Sequence, residues 1–360
     1  MVTTYLRRAY SSFATHVFDS PPRLLSLLFL VLIACFPILL KAGPSSAYIL
    51  AVLTTANILA IFASSWDILV GRCGQISLGH ALFFGVGAYT SALLIRYVGF
   101  PLWVSIPAGV LVGTLLAVPL GFPALRVKGP YLALVTMALP MIATGIVYYF
   151  RDWTGGEHGL MVPRFFPFLE LYQQQLAECY LTLILLFISA IIMYKIANSK
   201  IGIVFVSILD NEVGAKACGI NITKYKLLAF VISACFASLA GGIYAHFVRV
   251  AGPSGTLSLT LSFQAIIITT LGGIGTIYGP IAGSYLICIL DQYVLTMIVD
   301  VPFVWHPLIF MVVVVFFVIK WPRGIARFVT DKIEDLSKER EIEERGPHIW
   351  KEYKKKKEKK

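Results

Sequence analysis

The sequence predicts an all-α, polytopic helical membrane protein with about ten transmembrane helices. Apolar runs long enough to cross a bilayer, which takes roughly 20 residues each, recur along its whole length. Hydrophobic residues make up 58% of the chain and charged residues only 14%, whereas soluble domains carry about 25% charged residues. The mean hydropathy is +0.80. These observations exclude an ordinary soluble globular core.

The apolar runs define ten spans in chain order. They are 24–41, 47–70, 77–96, 101–121, 130–150, 179–197, 227–248, 257–273, 280–299 and 303–320. The first span lacks a convincing cleavage site and is expected to be an uncleaved helix. The sixth is short for a full crossing. Between 250 and 290 no charged residue occurs, and the Gly-Gly and Gly-Pro breaks there fit either two spans or a re-entrant segment and one span.

Basic residues near the span ends indicate the orientation. With a cytoplasmic N-terminus, eleven Lys and Arg ahead of the C-terminal tail fall on the cytoplasmic side and five on the outer side, and cytoplasmic loops carry the excess. The chain then divides into a cytoplasmic segment 1–23, a transmembrane domain 24–320 and a charged cytoplasmic tail 321–360. Connection 198–226 lies in the cytoplasm, and connection 151–178 is a long external loop.

The net charge of +11 does not indicate a nucleic-acid partner. Fourteen of the thirty Lys and Arg lie from Lys320 onward, and most others border the apolar runs. This distribution is typical of cytoplasmic loops and a basic tail rather than of a nucleic-acid-binding face. The expected surroundings are membrane lipid. The basic tail is expected to be solvated, with contact to anionic lipid as the alternative.

Motifs for catalysis are missing from the sequence. It contains no GxxxxGK[ST], HExxH or GxSxG. The run GGIGTIYG at 272–279 has the wrong spacing for a dinucleotide-binding loop. The six cysteines show no CxxC or Cys/His spacing, which argues against a zinc site or a disulfide framework. We therefore expect a chain that is not an enzyme and that holds no metal or cofactor of its own.

Polar side chains inside the spans are candidates for a translocation path. They are Gln75, Ser77, His80, Gln264 and Asp291. A carboxylate at mid-bilayer is costly unless it is paired, protonated or facing water, so Asp291 is expected to face the bundle interior or a cavity, where it either contacts substrate or ties helices together. Asp67, near a cytoplasmic boundary, is expected to be an interface charge.

The cytoplasmic connection carries start and stop signals for a short helix at about 211–218. Asp210 or Asn211 can cap its first turn, where Glu212 adds a favourable charge. Gly219 provides a left-handed stop.

The spacing of Glu212 and Lys216 predicts an i,i+4 pair on this helix. Its small residues, and the apolar approach IGIVFVSIL before it, favour docking of another protein. The alternative is a solvated surface helix.

The external loop contains the run WTGGEHGL. Its glycines allow backbone turns that other residues resist, and the loop is longer than a simple connection needs. Its candidate docking residues are Thr154, Gly155, Gly156 and Gly159. An ordered loop without a docking role is the other interpretation.

Five blocks of the sequence form a recognisable set. They are GRCGQISLGHALFFGVGAYTSALL (71–94), GPYLALVTMAL (129–139), TGGEHGL (154–160), LDNEVGAKACGINITKYKLLAFVISACFASLAGGIYA (209–245) and LGGIGTIYGPIAG (271–283). Together they resemble the LivM-type permeases of branched-chain amino acid ABC importers. The blocks follow the family order and extend over about 60% of the chain.

The resemblance implies a permease subunit in the bacterial cytoplasmic (inner) membrane. Its partners would be a second, LivH-like permease, two cytoplasmic ATPase subunits that bind the ATP, and an external substrate-binding protein. Helix 209–219 would be the coupling helix. Its ATPase-coupling residues would be Asp210, Asn211, Glu212, Lys216 and Gly219. Leu209 departs from the family, which usually has a basic residue there.

Two other functions stay open at this point. Members of the same family also import urea and short amides. A stand-alone ion-coupled secondary transporter or channel, driven through Asp291, belongs to a different class. A single carboxylate makes a poor proton relay, and no inverted repeat is evident.

Overall fold

The computed structural model describes residues 37, 44–127, 129–292, 306–321, 324 and 328 of the 360. Apart from residue 37, the first predicted span lies outside the described residues. Nearly all of the two terminal segments, and residues 293–299 of the predicted span 280–299, lie outside them too. Residues Lys41–Gly324 form one compact unit.

This unit is built almost entirely from helices. They are α1 (Pro44–Asp67), α2 (His80–Leu93), α3 (Leu102–Ala124), α4 (Pro130–Tyr149), α5 (Arg151–Thr154), α6 (Leu171–Ala197), α7 (Lys200–Asp210), α8 (Glu212–Ala217), α9 (Ile222–Val248), α10 (Pro253–Thr256), α11 (Leu259–Gly272), α12 (Tyr278–Cys288) and α13 (His306–Lys320). A π-helical turn extends α1 through Ile68–Arg72, and another extends α2 through Leu94–Val98. Two short strands, β1 (Leu160–Met161) and β2 (Val250–Ala251), pair antiparallel.

Seven helical segments in the described residues are long and apolar enough to cross a membrane. They correspond in order to the second through eighth predicted spans, and this confirms the all-helical, multi-pass architecture. Segment Pro253–Gly272 is one of the seven. It consists of the four-residue helix α10 and the 14-residue helix α11, which Leu257 and Ser258 separate. Since α12 has only 11 residues, the choice between two spans and a re-entrant segment with one span stays a prediction.

The sixth span and the external loop were predicted with the wrong boundary. Helix α6 begins at Leu171, eight residues before the predicted start at Cys179, and has 27 residues. Its first turns contain the polar run Gln173–Gln175, which forms helix well but is not apolar, so hydropathy placed it in the loop. Helix α5 takes up the other end of the predicted loop.

Helices α2, α3 and α9 approach each other so closely that their backbones touch. A Cβ on Gly87 in α2 would overlap the carbonyl oxygen of Ser238 in α9, and a Cβ on Gly241 in α9 would overlap that of Phe84. On α3, a Cβ on Gly109 would lie 2.7 Å from the carbonyl oxygen of Gly87. The small residues in these spans therefore let the helices pack closely, as expected in lipid.

The long helix α9 relates the two ends of the bundle. It starts directly after α8 and ends directly before β2. With a rise of about 1.5 Å per residue, its 27 residues separate these features by about 40 Å. We call the two ends the α8 end and the ribbon end, the latter after the pair β1 and β2.

Candidate functional site

At the α8 end, Asn211 forms the corner between two helices. Its backbone N–H donates to Ser207 at the end of α7, at 3.1 Å. Its side-chain Oδ1 accepts the backbone N–H of Gly214 in α8 at 2.9 Å. The predicted N-cap is thus Asn211, while Asp210 is the last residue of α7. One residue with extended backbone ends α7 and caps α8.

The other end of α8 closes in a Schellman motif. Gly219 has a φ of +81°. Its N–H donates to the carbonyl of Lys216 at 3.0 Å, and the N–H of Ile220 donates to that of Ala215 at 3.1 Å. Two residues later, Asn221 caps α9 by accepting the N–H of Lys224 at 3.1 Å. The left-handed stop predicted at Gly219 is confirmed.

An ion pair fastens α8 to the membrane helix α9. The carboxylate of Glu212 pairs with the ammonium of Lys226, a residue that is only 3% exposed. The predicted i,i+4 pair with Lys216 is wrong, because Glu212 is turned toward α9 and Lys216 is exposed. The pair joins elements 14 residues apart in sequence, so helical spacing does not reveal it.

Helix α8 presents most of its surface to the outside of the chain. Ala215 alone is buried among its six residues, whereas Val213 is 78% exposed. Preceding it, Leu209 is 44% exposed yet also lies over the backbone of Gly74, where a Cβ would come within 2.8 Å of its Cδ1. The apolar Leu209 thus fills a packing position where a basic residue was expected from the family.

Gly74 is connected to the core through the residues that precede it. The π-helical turn Ile68–Arg72, which extends α1, ends two residues before Gly74. At the head of this turn the carboxylate of Asp67 accepts the backbone N–H of Gly275, from the α11–α12 connection, at 2.7 Å. Asp67 is 3% exposed, so the prediction of an interface charge is wrong. The hydrogen bond from the backbone N–H compensates part of its desolvation.

Two of the predicted path residues, Gln75 and Ser77, lie in the connection between α1 and α2, and a third, His80, is the first residue of α2. Gln75 donates to the carbonyl of Cys73 at 3.1 Å, and the carbonyl of Ser77 accepts the indole N–H of Trp66 at 2.8 Å. All three, including His80, are buried within the chain. Gln264 lies half-buried on α11, and Asp291 lies half-buried beyond α12. Neither shares the connection between α1 and α2.

His80 ties three helices together. The hydroxyl of Ser233 on α9 donates to the carbonyl of Ser65 on α1 at 2.7 Å. Since the Ser233 hydroxyl already donates its proton to Ser65, its oxygen accepts a hydrogen bond from Nε2–H of His80 at 2.5 Å. The ring is thereby held in one tautomer, with Nδ1 as an acceptor that has no partner among the described residues.

At the ribbon end, the candidate docking residues form a folded turn. The hydroxyl of Thr154 donates to the carbonyl of Val147 at 2.7 Å and accepts the N–H of Gly156 at 3.2 Å. Gly155, Gly156 and Gly159 all have positive φ. A Cβ on Gly155 would overlap the carbonyl of Gly159. These residues therefore shape the turn. The exposed side chains around it are both apolar and charged or polar: Trp153 and Met161 are 62% and 85% exposed, and Glu157 and His158 are exposed within the turn itself.

A histidine links the external loop to the bundle. Nδ1 of His246 on α9 donates to the carbonyl of Pro163 at 2.9 Å. Its Nε2 accordingly accepts the hydroxyl of Ser91 on α2 at 2.8 Å. The strand β2 that follows α9 then pairs with β1, and the N–H of Val162 donates to the carbonyl of Arg249 at 3.0 Å. Neither this linkage nor Lys226 was predicted, because each joins residues far apart in sequence.

The sequence of this chain is similar to those of known transport proteins. The family model described as "Branched-chain amino acid transport system / permease component" matches residues 48–319. The LivM permease protein of the high-affinity branched-chain amino acid transport system of Salmonella typhimurium is 27% identical over 286 residues, covering 72% of this chain and 65% of that protein. No solved structure matches.

Two further relatives are more distant. A probable branched-chain amino acid transport permease protein LivH of Methanocaldococcus jannaschii is 21% identical, over 66% of this chain and 78% of that protein. The ribose import permease protein RbsC of Haemophilus influenzae is 24% identical, over 68% of this chain and 76% of that protein. The family match covers well over half of the chain and includes both ends of the bundle. This chain therefore belongs to the family of permease components of branched-chain amino acid transport systems.

Proposed function

We propose that this chain is a permease subunit of an ABC importer for branched-chain amino acids, and that α8 is the coupling helix on which a separate ATPase acts. The observation that carries the proposal is the state of α8. It is exposed over most of its surface, defined at both ends by hydrogen-bonded caps, and joined by Glu212 to the buried Lys226. An exposed element this firmly attached can transmit a displacement to the bundle.

Two separate connections lead from α8 into the membrane helices. One runs through the Glu212–Lys226 ion pair to α9, which packs against α1, α2 and α3 in the core. The other runs through Leu209 to Gly74, the π-helical turn and Asp67. A push on α8 would therefore reach α9 and α1 together. The apolar, 78% exposed Val213 offers a contact for the ATPase surface.

The partners follow from the family. They are a second, LivH-like permease subunit, two cytoplasmic ATPase subunits that bind ATP, and an external substrate-binding protein. This chain would supply the path without catalysis or a cofactor of its own, surrounded by lipid and without nucleic acid. In the bacterial inner membrane, the α8 end and both termini would face the cytoplasm. The ribbon end, with the Thr154 turn, would face the binding protein.

The experiment is a pair of matched surface variants in the assembled complex. Val213→Glu places a charge on the α8 end, and Met161→Glu places one on the equally exposed ribbon end. We expect Val213→Glu to lose co-purification of the ATPase subunits and uptake of leucine, isoleucine and valine. Met161→Glu should keep the ATPase subunits. Retention of both the ATPase subunits and uptake by Val213→Glu would overturn the coupling role, and uptake of urea alone would overturn the substrate.

A further inference from the structure

Near the ribbon end, the first turns of α6 carry three polar side chains on neighbouring positions. Gln174, Gln175 and Glu178 are separated by the i,i+3 and i,i+4 spacings that place side chains next to each other on a helix. Glu178 is 2% exposed and Gln174 is 6% exposed. A buried carboxylate at this position is costly unless it is paired.

Two arginines from other elements face this carboxylate. Arg164, in the loop after β1, donates from Nη1 to Oε1 of Gln174 at 2.9 Å. Arg164 and Arg249 both lie close enough to Glu178 to interact with it electrostatically. The backbone bond from Val162 to Arg249, and the bond from His246 to Pro163, hold the two arginine segments together. We call Arg164, Gln174, Gln175, Glu178 and Arg249 the Glu178 cluster.

Arg249 stands at a backbone position that is costly for an arginine. It ends α9 with a φ of +68°, and it is the non-glycine residue with positive φ among those described. Glycine is the usual residue at such a helix end, since a side chain in this conformation costs about 1–2 kcal/mol. The structure therefore holds an arginine side chain at a position where the backbone is strained.

Three buried polar atoms of the cluster have no hydrogen-bond partner among the described residues. They are Oε1 of Glu178, Oε1 of Gln175 and Nε of Arg164. The first two accept hydrogen bonds and the third donates one. Polar atoms buried in this way normally have a partner. The missing partner must therefore present donors to the carboxylate and amide and an acceptor to the guanidinium.

We propose that the Glu178 cluster binds the zwitterionic head of an amino acid at the ribbon end of the bundle. Glu178 and Gln175 would receive the α-ammonium group, and Arg164 with Arg249 would receive the α-carboxylate. The inference rests on the proposed function and gives this chain its own substrate site, beside the one of the binding protein.

The chemistry of the cluster distinguishes among substrate classes. Urea and short amides carry no net charge, so they would form no ion pair with Glu178 or with the two arginines. A simple anion would meet the carboxylate of Glu178, and a simple cation would meet the two arginines. An amino acid carries both charges on one carbon. Phe166, two residues after Arg164, is half-buried and lies with its ring centroid 6.2 Å from that of Trp103. It offers apolar surface for the side chain of the amino acid.

Direct binding to the full-length chain in lipid nanodiscs tests the site without the binding protein. The probe is radiolabelled leucine in a scintillation proximity assay, with leucinamide, isocaproate and urea as competitors. We expect leucine to bind and unlabelled leucine to compete. Leucinamide, which lacks the carboxylate, and isocaproate, which lacks the ammonium, should each compete at least about tenfold more weakly, since each loses bonds to charged groups. Urea should not compete.

The variants are Glu178→Gln and Gln175→Leu, with Gln173→Ala as the control. Gln173 is exposed on the same turn of α6. We expect leucine affinity to fall about tenfold or more in Glu178→Gln and several-fold in Gln175→Leu, and to be unchanged in Gln173→Ala. If Glu178→Gln fails to fold, Gln175→Leu still tests the site, because it removes no charge. Leucine affinity equal to that of the wild type in folded Glu178→Gln or folded Gln175→Leu would overturn the proposal, as would competition by leucinamide equal to that by leucine.

ATP-driven uptake by the assembled complex separates this inference from the proposed function. Uptake that persists while the chain shows no leucine binding would overturn the Glu178 site alone. Leucine binding by the chain without ATP-driven uptake would overturn the importer and leave the site standing.

Discussion

Glu212 and Lys226 form an ion pair across the corner between α8 and α9. The Lys226 side chain is 4% exposed and the Glu212 side chain 30%. Lys226 is thus a buried cation whose counter-charge is supplied by the helix that carries the exposed Val213. Removing one partner of such a pair costs more than removing both, because the remaining charge stays desolvated.

We therefore expect Glu212→Ala to lower the free energy of unfolding by about 1–3 kcal/mol. The matched control is Lys216→Ala, which removes an exposed charge from the same helix and should change stability by less than about 0.5 kcal/mol. Unfolding in mixed micelles with SDS measures both. The double variant Glu212→Ala/Lys226→Met should recover part of the loss. Equal effects of Glu212→Ala and Lys216→Ala would show that the pair contributes nothing.

The caps of α8 could be predicted because they are local. Asn211 and Gly219 act on backbone groups two to four residues away, so their residue types are enough to indicate them. Lys226 and Asp67 could not be assigned in this way. The partner of Asp67 is Gly275, 208 residues along the chain, and a carboxylate near a span end looks like an interface charge until that loop folds over it.

Gly219 is predicted to be required for its backbone conformation rather than for space. Its φ is +81°, and a Cβ there would meet nothing within 4 Å. We expect Gly219→Ala to cost about 1 kcal/mol, and Gly219→Asn to cost less, because asparagine tolerates the left-handed region. Unfolding and leucine uptake would be measured together. An alanine variant as stable as the wild type would contradict the assignment of the Schellman motif.

At Gly71, unlike at Gly219, the lack of space and not the backbone conformation requires glycine. A Cβ on Gly71 would overlap Oδ1 of Asp67 and lie 2.6 Å from the N of Gly275. Gly71→Ala should therefore break the Asp67–Gly275 hydrogen bond and destabilise the chain by about 1–3 kcal/mol. Gly145→Ala on α4 is the matched control, since a Cβ there meets nothing within 4 Å. We expect Gly145→Ala to be neutral or mildly stabilising, because alanine favours helix over glycine. Similar unfolding curves for the two variants would contradict the close approach at Gly71.

The Glu178 cluster at the ribbon end could not be predicted from the sequence, for two reasons. The run Gln173–Gln175 reads as loop by hydropathy, and the spacing that brings Gln174 and Glu178 together appears only once α6 is known to begin at Leu171. Arg164 and Arg249 join them through the pairing of β1 with β2. Strands of two residues leave no alternating pattern from which such a pairing could be predicted.

Thiol labelling tests the docking surface and the orientation of α8 at once. Cys218 is exposed at the C-terminal end of α8, whereas Cys73 is buried beside the Leu209 contact, where burial raises the pKa of its thiol to about 12. A thiol reacts through its thiolate, so Cys73 should stay unreactive at pH 8 while Cys218 reacts with a membrane-impermeant maleimide. We expect labelling in inside-out but not right-side-out vesicles, loss of that labelling in Cys218→Ser, and protection when the ATPase subunits are bound. Labelling of Cys218 from the outer side would reverse the orientation, and labelling unchanged by the ATPase subunits would place their contact elsewhere than α8.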